Sequence, residues 1–248
     1  MKSLIIIPTL NEKNNIQRIA SKIFSLKKNF FHILFVDDNS TDGSQAEILK
    51  LAKKRNVNYL FRKKRGLGSA HRDGILWAMN NKFNYCITID ADGTHDPKLI
   101  IKMLKIMNNE FKIVHIVNTN RFLNKTSLND WPVIRLLITK VRFILVKLFL
   151  RTNLDSSGGF RLYNLNFINK KHFFLSKNND YFYLVESLFY FEKLGYRIHE
   201  IPIKLKFRDY GSSKMKFYHV FESFIKLLQL SLKNINQKII IDNTFYST

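Results

Sequence analysis

The sequence is poor in cysteine and in acidic residues, and it lacks a long hydrophobic run. Its single cysteine, Cys86, excludes a disulfide within the chain and fits a reducing compartment. No stretch of about 20 uncharged apolar residues occurs, so we expect no transmembrane helix. The nearest candidate, residues 133–150, carries four basic side chains, each of which costs about 2.5–3.5 kcal/mol near the centre of a bilayer. The apolar run at residues 4–8 is too short for the core of a signal peptide, so we expect a cytosolic protein.

The charge balance is strongly positive. Lysine and arginine number 41 against 19 acidic residues, which gives a net charge of +22. This excess indicates a polyanionic partner, which can be nucleic acid, an anionic membrane surface or a phosphorylated substrate. The chain has 248 residues and 46% hydrophobic content, enough for one substantial α/β domain with its own core.

Residues 85–93 combine a short apolar strand with two carboxylates, those of Asp90 and Asp92. Residues two apart on an extended chain point to the same side, so both carboxylates can converge just past the strand, where open α/β sheets bind ligands. Two carboxylates about 4 Å apart repel by roughly 4 kcal/mol at an effective dielectric constant of about 20. A Mg2+ or Mn2+ ion between them is therefore one interpretation. The other is that both are turn and helix-capping residues ahead of Pro97.

Strand-like and helix-like segments alternate in the first half of the chain. Apolar runs predict strands at residues 3–8, 32–36, 59–61, 85–90 and 113–117. Helical spacing predicts helices between them, the first capped by Asn11 or Asn14, the third over residues 69–81 and the next launched by Pro97. This alternation is typical of an α/β fold with a doubly wound, mostly parallel sheet and helices on both faces.

Two amphipathic helices are predicted in the second half, after a loop at residues 121–130. Arg135, Lys140, Arg142 and Lys147 lie largely opposite the apolar face of the first helix, residues 133–150. This helix either packs on the sheet with its basic side in solvent or lies on an anionic membrane. Residues 215–233 repeat the pattern, and residues 238–241 can form a small strand or an apolar clamp. The apolar face of the first helix, at residues 133–150, consists of nine residues: Val133, Ile134, Leu137, Ile138, Val141, Ile144, Leu145, Leu148 and Phe149.

Polar motifs follow three of the predicted strands. They are PTLNE at residues 8–12, DDNSTDG at residues 37–43 and DAD at residues 90–92, with GLGSA at residues 66–70 between the second and the third. Together they resemble the family 2 inverting glycosyltransferases of the GT-A fold. The segments WP (131–132), DSSGGFRLY (155–163) and YGSSK (210–214) narrow the resemblance to the dolichyl-phosphate or polyprenyl-phosphate mannosyltransferase branch. The resemblance spans residues 3–215.

The resemblance implies a nucleotide-sugar site at the strand ends. Glu12 and Asp38 would accept hydrogen bonds from the ribose and the base. Asp90 and Asp92 would hold Mg2+ or Mn2+ against the diphosphate, where the ion stabilises charge on the departing nucleotide. The other residues expected to bind the nucleotide are Pro8, Leu10, Asp37 and Ala91.

This chain departs from the family pattern at three of these positions. Leu10 stands where relatives commonly carry an aromatic residue, which leaves base stacking in question. Gly93 stands where a larger residue is frequent, and Thr94 where relatives often have glutamine or serine. The donor and the metal geometry are therefore open at this point.

The implied acceptor is a polyprenyl phosphate, which is already an anion, so no general base is essential. His71 and His95, the histidines nearest the motifs, are accordingly expected to be structural or peripheral. The basic candidates match the family's basic positions and suit phosphate binding, although each also fits a solvated surface charge. Asp155 can position an arginine, polarise the acceptor or cap the following turn. The expected catalytic residues are Asp92, Arg121, Arg135, Asp155, Arg161, Arg208 and Lys214.

The resulting hypothesis is an inverting, metal-dependent transferase that moves mannose from GDP-mannose to polyprenyl phosphate. We expect peripheral association with the cytoplasmic face of an anionic membrane. One alternative is a UDP-sugar donor or a hydroxyl acceptor on a protein or saccharide, which would require a base near Asp155 or His95. An alternative of another class is a nucleic-acid-binding protein. Residues 1–212 are expected to form the catalytic domain, and residues 213–248 an amphipathic helix and tail without a transmembrane domain.

Overall fold

Seven strands form one sheet in the structure, a computed structural model that describes residues 2–26, 31–53, 56–109, 111–129, 131–206 and 217–236. The strands lie in the order β3-β2-β1-β4-β6-β5-β7. Of these described strands only β6 runs antiparallel to its neighbours, so the mostly parallel sheet is confirmed. Their bounds are β1 (Ser3–Thr9), β2 (Phe31–Asp37), β3 (Val57–Phe61), β4 (Tyr85–Thr88), β5 (Ile116–Asn120), β6 (Arg161–Asn164) and β7 (Ile198–Pro202).

Helices cover both faces of this sheet, as predicted. Successive side chains of β1 point to opposite faces, so Ile5 and Ile7 join one core and Leu4 and Ile6 another. Burial on both faces explains why β1 is a continuous apolar run. The helices are α1 (Lys13–Phe24), α2 (Ser44–Ala52), α3 (Leu67–Asn80), α4 (Leu99–Met107), α5 (Val133–Leu150), α6 (Phe182–Lys193) and α7 (Phe217–Asn236).

The start of α1 differs from the prediction, because neither Asn11 nor Asn14 caps it. Glu12 occupies the N-cap position without a side-chain capping hydrogen bond. Asp42 Oδ2, in the loop after β2, instead accepts a hydrogen bond from the Lys13 amide at 2.9 Å. Asn11 adopts a left-handed conformation at φ 52° and binds the same loop. The capping group thus comes from a neighbouring strand's loop, which local sequence spacing does not show.

α5 has the predicted bounds but presents its apolar face to the outside. Thr139, Val146 and Leu150 are its buried residues, and the last two pack with α6 and α7. The interpretation that the predicted apolar face packs on the sheet is therefore wrong, because the helix turns another side inward. Six of the nine residues on that face are between 46% and 80% exposed. We call these six the α5 apolar stripe: Val133, Ile134, Leu137, Val141, Ile144 and Leu148.

α7 overlaps the helix predicted at residues 215–233. It buries Leu227 and Leu230 against α5 and α6. None of the described helices combines the length and the apolar composition that crossing a membrane requires. Arg208, Lys214, the YGSSK motif, the predicted domain boundary after residue 212 and the predicted strand or clamp at residues 238–241 lie outside the described residues.

Candidate active site

The carboxyl ends of β1, β2 and β4 lie at one edge of the sheet because these strands pair in parallel. Thr9 pairs with Asp37 and Ile6 pairs with Thr88, so the segments that follow the three strands approach one another. With the start of α3 and the loop before α6, they line a cavity of about 410 Å³, which we call the strand-end cavity. Its lining residues are Pro8, Thr9, Leu10, Glu12, Asp38, Arg65, Gly66, Leu67, Asp90, Ala91, Asp92, Asp180 and Tyr181.

Asp38 is held between Arg62 and the start of α3. Its Oδ2 accepts a hydrogen bond from the Gly66 amide at 2.8 Å, and its Oδ1 lies 3.0 Å from Arg62 Nε. Burial raises the pKa of the Asp38 carboxyl, although the Gly66 hydrogen bond and the Arg62 charge oppose the shift. Gly66 has a φ of 139°, and a Cβ there would collide with the Asn179 carbonyl, so this close approach requires glycine.

Asp37 lies behind the cavity wall, unlike the other residues predicted to bind the nucleotide. It is fully buried, and its Oδ1 accepts hydrogen bonds from the Ser40 amide at 2.9 Å and from Gln45 Nε2 at 2.7 Å. The carboxylate therefore supports the loop after β2. The predicted residues that do line the strand-end cavity are Pro8, Leu10, Glu12, Asp38, Asp90, Ala91 and Asp92.

Asp90 and Asp92 follow β4 in different environments. Asp92 is 6% exposed, and its Oδ1 accepts hydrogen bonds from the Thr94 amide at 3.1 Å and the Thr94 hydroxyl at 2.7 Å. The Asp90 side chain is 40% exposed, with Oδ2 3.8 Å from His95 Nδ1. Neither carboxylate caps α4, since Asp96 Oδ1 accepts the hydrogen bond from the amide just before that helix. Asp92 does stabilise a turn, and Thr94 orients its carboxylate.

A second cavity, of about 170 Å³, adjoins the first. Three arginines from the end of β5 and from α5 line it, and we call it the arginine cavity. Asp90 and Asp92 line both cavities, together with Leu67 and Tyr181. The two carboxylates therefore lie where a cavity formed by strand ends meets one lined by cations. The arginines are Arg121, Arg135 and Arg142.

Arg121 is fixed by a buried ion pair with Asp155. Its Nε donates to Asp155 Oδ2 at 2.8 Å, its Nη2 donates to Oδ1 at 2.6 Å, and its backbone amide donates to Oδ2 at 2.9 Å. Burial alone would raise the pKa of the Asp155 carboxyl, but the charge and hydrogen bonds of Arg121 outweigh burial and bring the pKa to about 2. Asp155 is thus an ionised group that positions Arg121.

The two arginines of α5 lie on one side of that helix. Arg135 stacks on Trp131, with its Cζ 3.8 Å from the ring centroid. Arg142 follows seven residues later, a spacing that returns a helix to nearly the same face. Burial and the charge of Arg121 lower the pKa of the Arg142 guanidinium to about 10, against an opposing contribution from Asp155. Arg142 was not predicted as a site residue, although its spacing from Arg135 was visible.

Arg161 does not line either cavity. It is fully buried, and its Nη2 donates to the Ser156 carbonyl at 2.6 Å and to the Leu184 carbonyl at 2.8 Å. Its Nε donates to Asn118 Oδ1 at 3.2 Å. The guanidinium therefore ties the segment before β6 to β5 and α6. The structure places it as a support, and burial keeps it from the contact with substrate that the family pattern implied.

The histidines differ in position. His95 lines the arginine cavity, and its Nδ1 accepts a hydrogen bond from the Asp90 amide at 3.4 Å. His71 is buried on α3, and neither of its ring nitrogens has a hydrogen-bond partner among the described residues. Burial, followed by the charges of Arg161 and Arg72, lowers the pKa of His71 to about 3. His71 is therefore neutral at neutral pH.

Sequence analysis missed three further residues at or behind the site. Asp180 and Tyr181 line the strand-end cavity from the loop before α6. Glu200, on β7, accepts a hydrogen bond from the Asp155 amide at 3.0 Å. No motif marks these positions, because each reaches the site through the pairing or packing of elements distant in sequence.

The chain is similar to known proteins over most of its length. Residues 4–170 match the Glycosyl transferase family 2 domain. A polyprenol monophosphomannose synthase of Mycolicibacterium smegmatis is 26% identical over 236 residues, 94% of this chain and 88% of that protein. An undecaprenyl-phosphate mannosyltransferase of Micrococcus luteus is 27% identical over 235 residues, 94% of this chain and 95% of that protein.

Solved structures show the same fold. Glucosyl-3-phosphoglycerate synthase from Mycobacterium tuberculosis, crystallised with Mn2+, uridine diphosphate and phosphoglyceric acid, superposes with a TM-score of 0.63. Its sequence identity is 14%, and the alignment covers 94% of this chain and 78% of that chain. The GT-A fold implied by the motifs is thereby confirmed.

The Arg121–Asp155 pair predicts an acid-sensitive contribution to stability. A carboxyl whose pKa is lower in the folded state stabilises the fold above its unfolded pKa, and this stabilisation is lost as the pH falls through the folded pKa. For Asp155 this stabilisation amounts to roughly 2 kcal/mol, and it is lost as the pH falls from about 4 to about 2. Asp155→Asn should lower the free energy of unfolding at pH 7 by about 3–5 kcal/mol, because it leaves Arg121 buried without its anion.

Urea unfolding followed by circular dichroism at pH 7 and across the acid range measures both effects. Asp155→Asn should lose less stability than the wild type between pH 4 and pH 2. Asp96→Asn is the control, because its ion pair with the exposed Lys206 is a surface pair worth less than about 1 kcal/mol. Equal losses for the two variants at pH 7 would contradict the role assigned to Asp155.

Proposed function

Because the chain belongs to glycosyl transferase family 2, we propose that it transfers mannose from GDP-mannose to a polyprenyl phosphate, with inversion at the anomeric carbon. Glycosyltransferase activity follows from the family match and from the two mannosyltransferase relatives. The specific acceptor and sugar are inferred from the names of those relatives, which cover nearly the whole chain. We place the reaction at the cytoplasmic face of a membrane, with residues 1–212 as the catalytic domain.

One observation carries the proposal: Asp90 and Asp92 line both the strand-end cavity and the arginine cavity. A group transfer between two phosphorylated molecules requires two anion-compatible sites that meet at the reacting carbon. The strand-end cavity suits the nucleotide, and the arginine cavity suits the acceptor phosphate. The sugar would lie at their common boundary, beside Leu67 and Tyr181.

The strand-end cavity offers hydrogen-bond acceptors for a nucleoside. Glu12 and Asp38 are carboxylates that can accept hydrogen bonds from ribose hydroxyls and from ring N–H groups of a base. The raised pKa of Asp38 reflects a desolvated carboxyl, which gains from any donor that a ligand supplies. Pro8, Leu10 and Ala91 complete the wall.

Asp90 and Asp92 fit a hard divalent ion. Carboxylate oxygens are the ligands that Mg2+ and Mn2+ prefer, and Mg2+ usually takes one or two protein carboxylates together with substrate phosphates. Within the described ranges no group of three or more His, Cys, Asp or Glu side chains could hold a metal alone, so the donor diphosphate would complete the coordination. When bound, the ion would neutralise negative charge on the departing nucleotide diphosphate. Thr94 holds Asp92 in position through its hydroxyl.

The arginine cavity suits a nucleophile that carries its own charge. An acceptor phosphate oxygen attacks the anomeric carbon while the bond from that carbon to the donor diphosphate breaks, so the nucleotide leaves with the electron pair. No proton has to be removed from a phosphate oxygen. This agrees with the surroundings of the cavity: the buried Asp155, which does not line it, is paired with Arg121, and His95 Nδ1 already accepts a hydrogen bond. Arg121 and Arg135 would bind the phosphate, and Arg208 and Lys214 are proposed as further cations.

The α5 apolar stripe supports association with a membrane. Its six side chains lie on the side of α5 away from Arg135 and Arg142, as expected at about 100° per residue. Lys147 flanks the stripe, and the net charge of +22 favours an anionic lipid surface. In this arrangement the stripe contacts acyl chains while the opposite side of the same helix binds the acceptor phosphate.

Substitution of the two shared carboxylates tests the proposal. Asp92→Asn and Asp90→Asn should each lower kcat/KM by about a hundredfold or more, because each removes charge that stabilises the transition state. The assay follows radiolabel from GDP-mannose into polyprenyl phosphate, with the product extracted into organic solvent. Asp96→Asn, which removes a carboxylate outside both cavities, is the control. Wild-type transfer by both variants, or a product that stays in water, would refute the proposal.

The membrane surface is tested by placing charge on the stripe. Leu137→Glu with Ile144→Glu should weaken binding to anionic phospholipid vesicles at least tenfold in a sedimentation assay, since burying one such side chain is worth roughly 1.5–3 kcal/mol. Activity on a water-soluble short-chain acceptor should persist. Phe111→Glu with Phe167→Glu makes the same charge change at exposed apolar residues elsewhere and should bind vesicles normally. Equal vesicle binding by the two double variants would exclude the stripe as the contact.

A further inference from the structure

Within the described part of the chain, Arg142 differs from the other two arginines of the arginine cavity in its contacts. Arg121 is clamped by Asp155, and Arg135 stacks on Trp131. Arg142 lines the cavity but forms no hydrogen bond or ion pair with any residue in the described ranges. With respect to the described residues, its guanidinium donors therefore stay available to a ligand in the cavity.

The position of Arg142 is electrostatically unfavourable for the protein by itself. Arg142 is partly buried, and the charge of Arg121 repels it. Asp155 attracts it, but that carboxylate already binds Arg121 through both oxygens. Burial and Arg121 lower the pKa of Arg142 to about 10, so it is still charged at neutral pH. Charged groups kept in places that cost stability are concentrated at functional sites.

We propose that Arg142 binds the phosphate group of the acceptor. The assignment rests on the proposed function, because it takes a phosphate monoester as the acceptor. Arg142 lines the arginine cavity and does not line the strand-end cavity, which favours the acceptor phosphate over the donor diphosphate as its ligand. A phosphate between Arg121 and Arg142 would convert their repulsion into shared attraction to one anion. The site would then discriminate against a neutral hydroxyl acceptor, which cannot offset the charge of the arginines.

The experiment compares Arg142→Met with Lys140→Met. Methionine keeps an unbranched apolar stem and removes the charge in both variants. Lys140 is exposed on the same helix and lines neither cavity, so it is a matched control. Binding of farnesyl phosphate to the full chain is measured by calorimetry, and the KM values for farnesyl phosphate and GDP-mannose are measured in the transfer assay.

Arg142→Met should raise the dissociation constant and the KM for farnesyl phosphate at least tenfold, as expected for the loss of a charged hydrogen-bond donor. The KM for GDP-mannose should stay within twofold, and Tm should be equal to or higher than that of the wild type. Arg142→Lys should recover part of the affinity, because it restores the charge without the planar guanidinium. Lys140→Met should bind like the wild type.

The outcomes separate this inference from the proposed function. Wild-type affinity of Arg142→Met for farnesyl phosphate would overturn the role of Arg142 while leaving transfer intact. A raised KM for GDP-mannose alone would assign Arg142 to the donor diphosphate. A lowered Tm of Arg142→Met, with no affinity recovered in Arg142→Lys, would indicate a structural role and overturn the inference. A wild-type protein that binds no farnesyl phosphate would overturn the acceptor class and this inference together.

Discussion

Parallel pairing of β1 with β2 and β4 is the constraint on which the site depends. Because of this pairing, the carboxyl ends of the three strands lie at the same edge of the sheet. The segments that follow them place Glu12, Asp38, Asp90 and Asp92 around one cavity. Such a collection of carboxylates is stable only where hydrogen-bond donors or cations face it. The Gly66 amide and Arg62 do this for Asp38, and Thr94 does it for Asp92. The exposed Asp90 carboxylate has the solvent contact that a bound ion would replace.

The arginine cavity shows the opposite balance of charge. Asp155 neutralises one of its three arginines and is itself held by β7 through Glu200. The remaining positive charge lies next to Asp90 and Asp92, so an anion in the arginine cavity would face a carboxylate pair across the shared boundary. A divalent ion at that pair would remove this repulsion. We therefore expect the donor, the ion and the acceptor phosphate to bind cooperatively, because each reduces the electrostatic cost of binding the others.

The sequence predicted those parts of the fold and site that depend on local pattern. Asp90 and Asp92 were identified because a short apolar run places them at a strand end, and α5 was bounded correctly by its apolar periodicity. The roles of Asp37 and Arg161 depend on which way a side chain points, and spacing does not determine that. Arg161 belongs to the family motif at residues 155–163, yet its guanidinium donates hydrogen bonds to buried carbonyl oxygens. For α5 the sequence left two alternatives open, packing of the apolar face on the sheet or exposure of that face. An amphipathic pattern shows that a helix has an apolar side, but it does not show what covers that side.

A crystal structure of the chain with GDP, Mg2+ and farnesyl phosphate tests the central claim, that two cavities meeting at Asp90 and Asp92 bind donor and acceptor separately. The account predicts the nucleoside beside Glu12 and Asp38 in the strand-end cavity. It predicts the acceptor phosphate among Arg121, Arg135 and Arg142, with the prenyl chain leading out of the arginine cavity. A nucleotide that occupies the arginine cavity, or an acceptor phosphate bound away from these arginines, would contradict it.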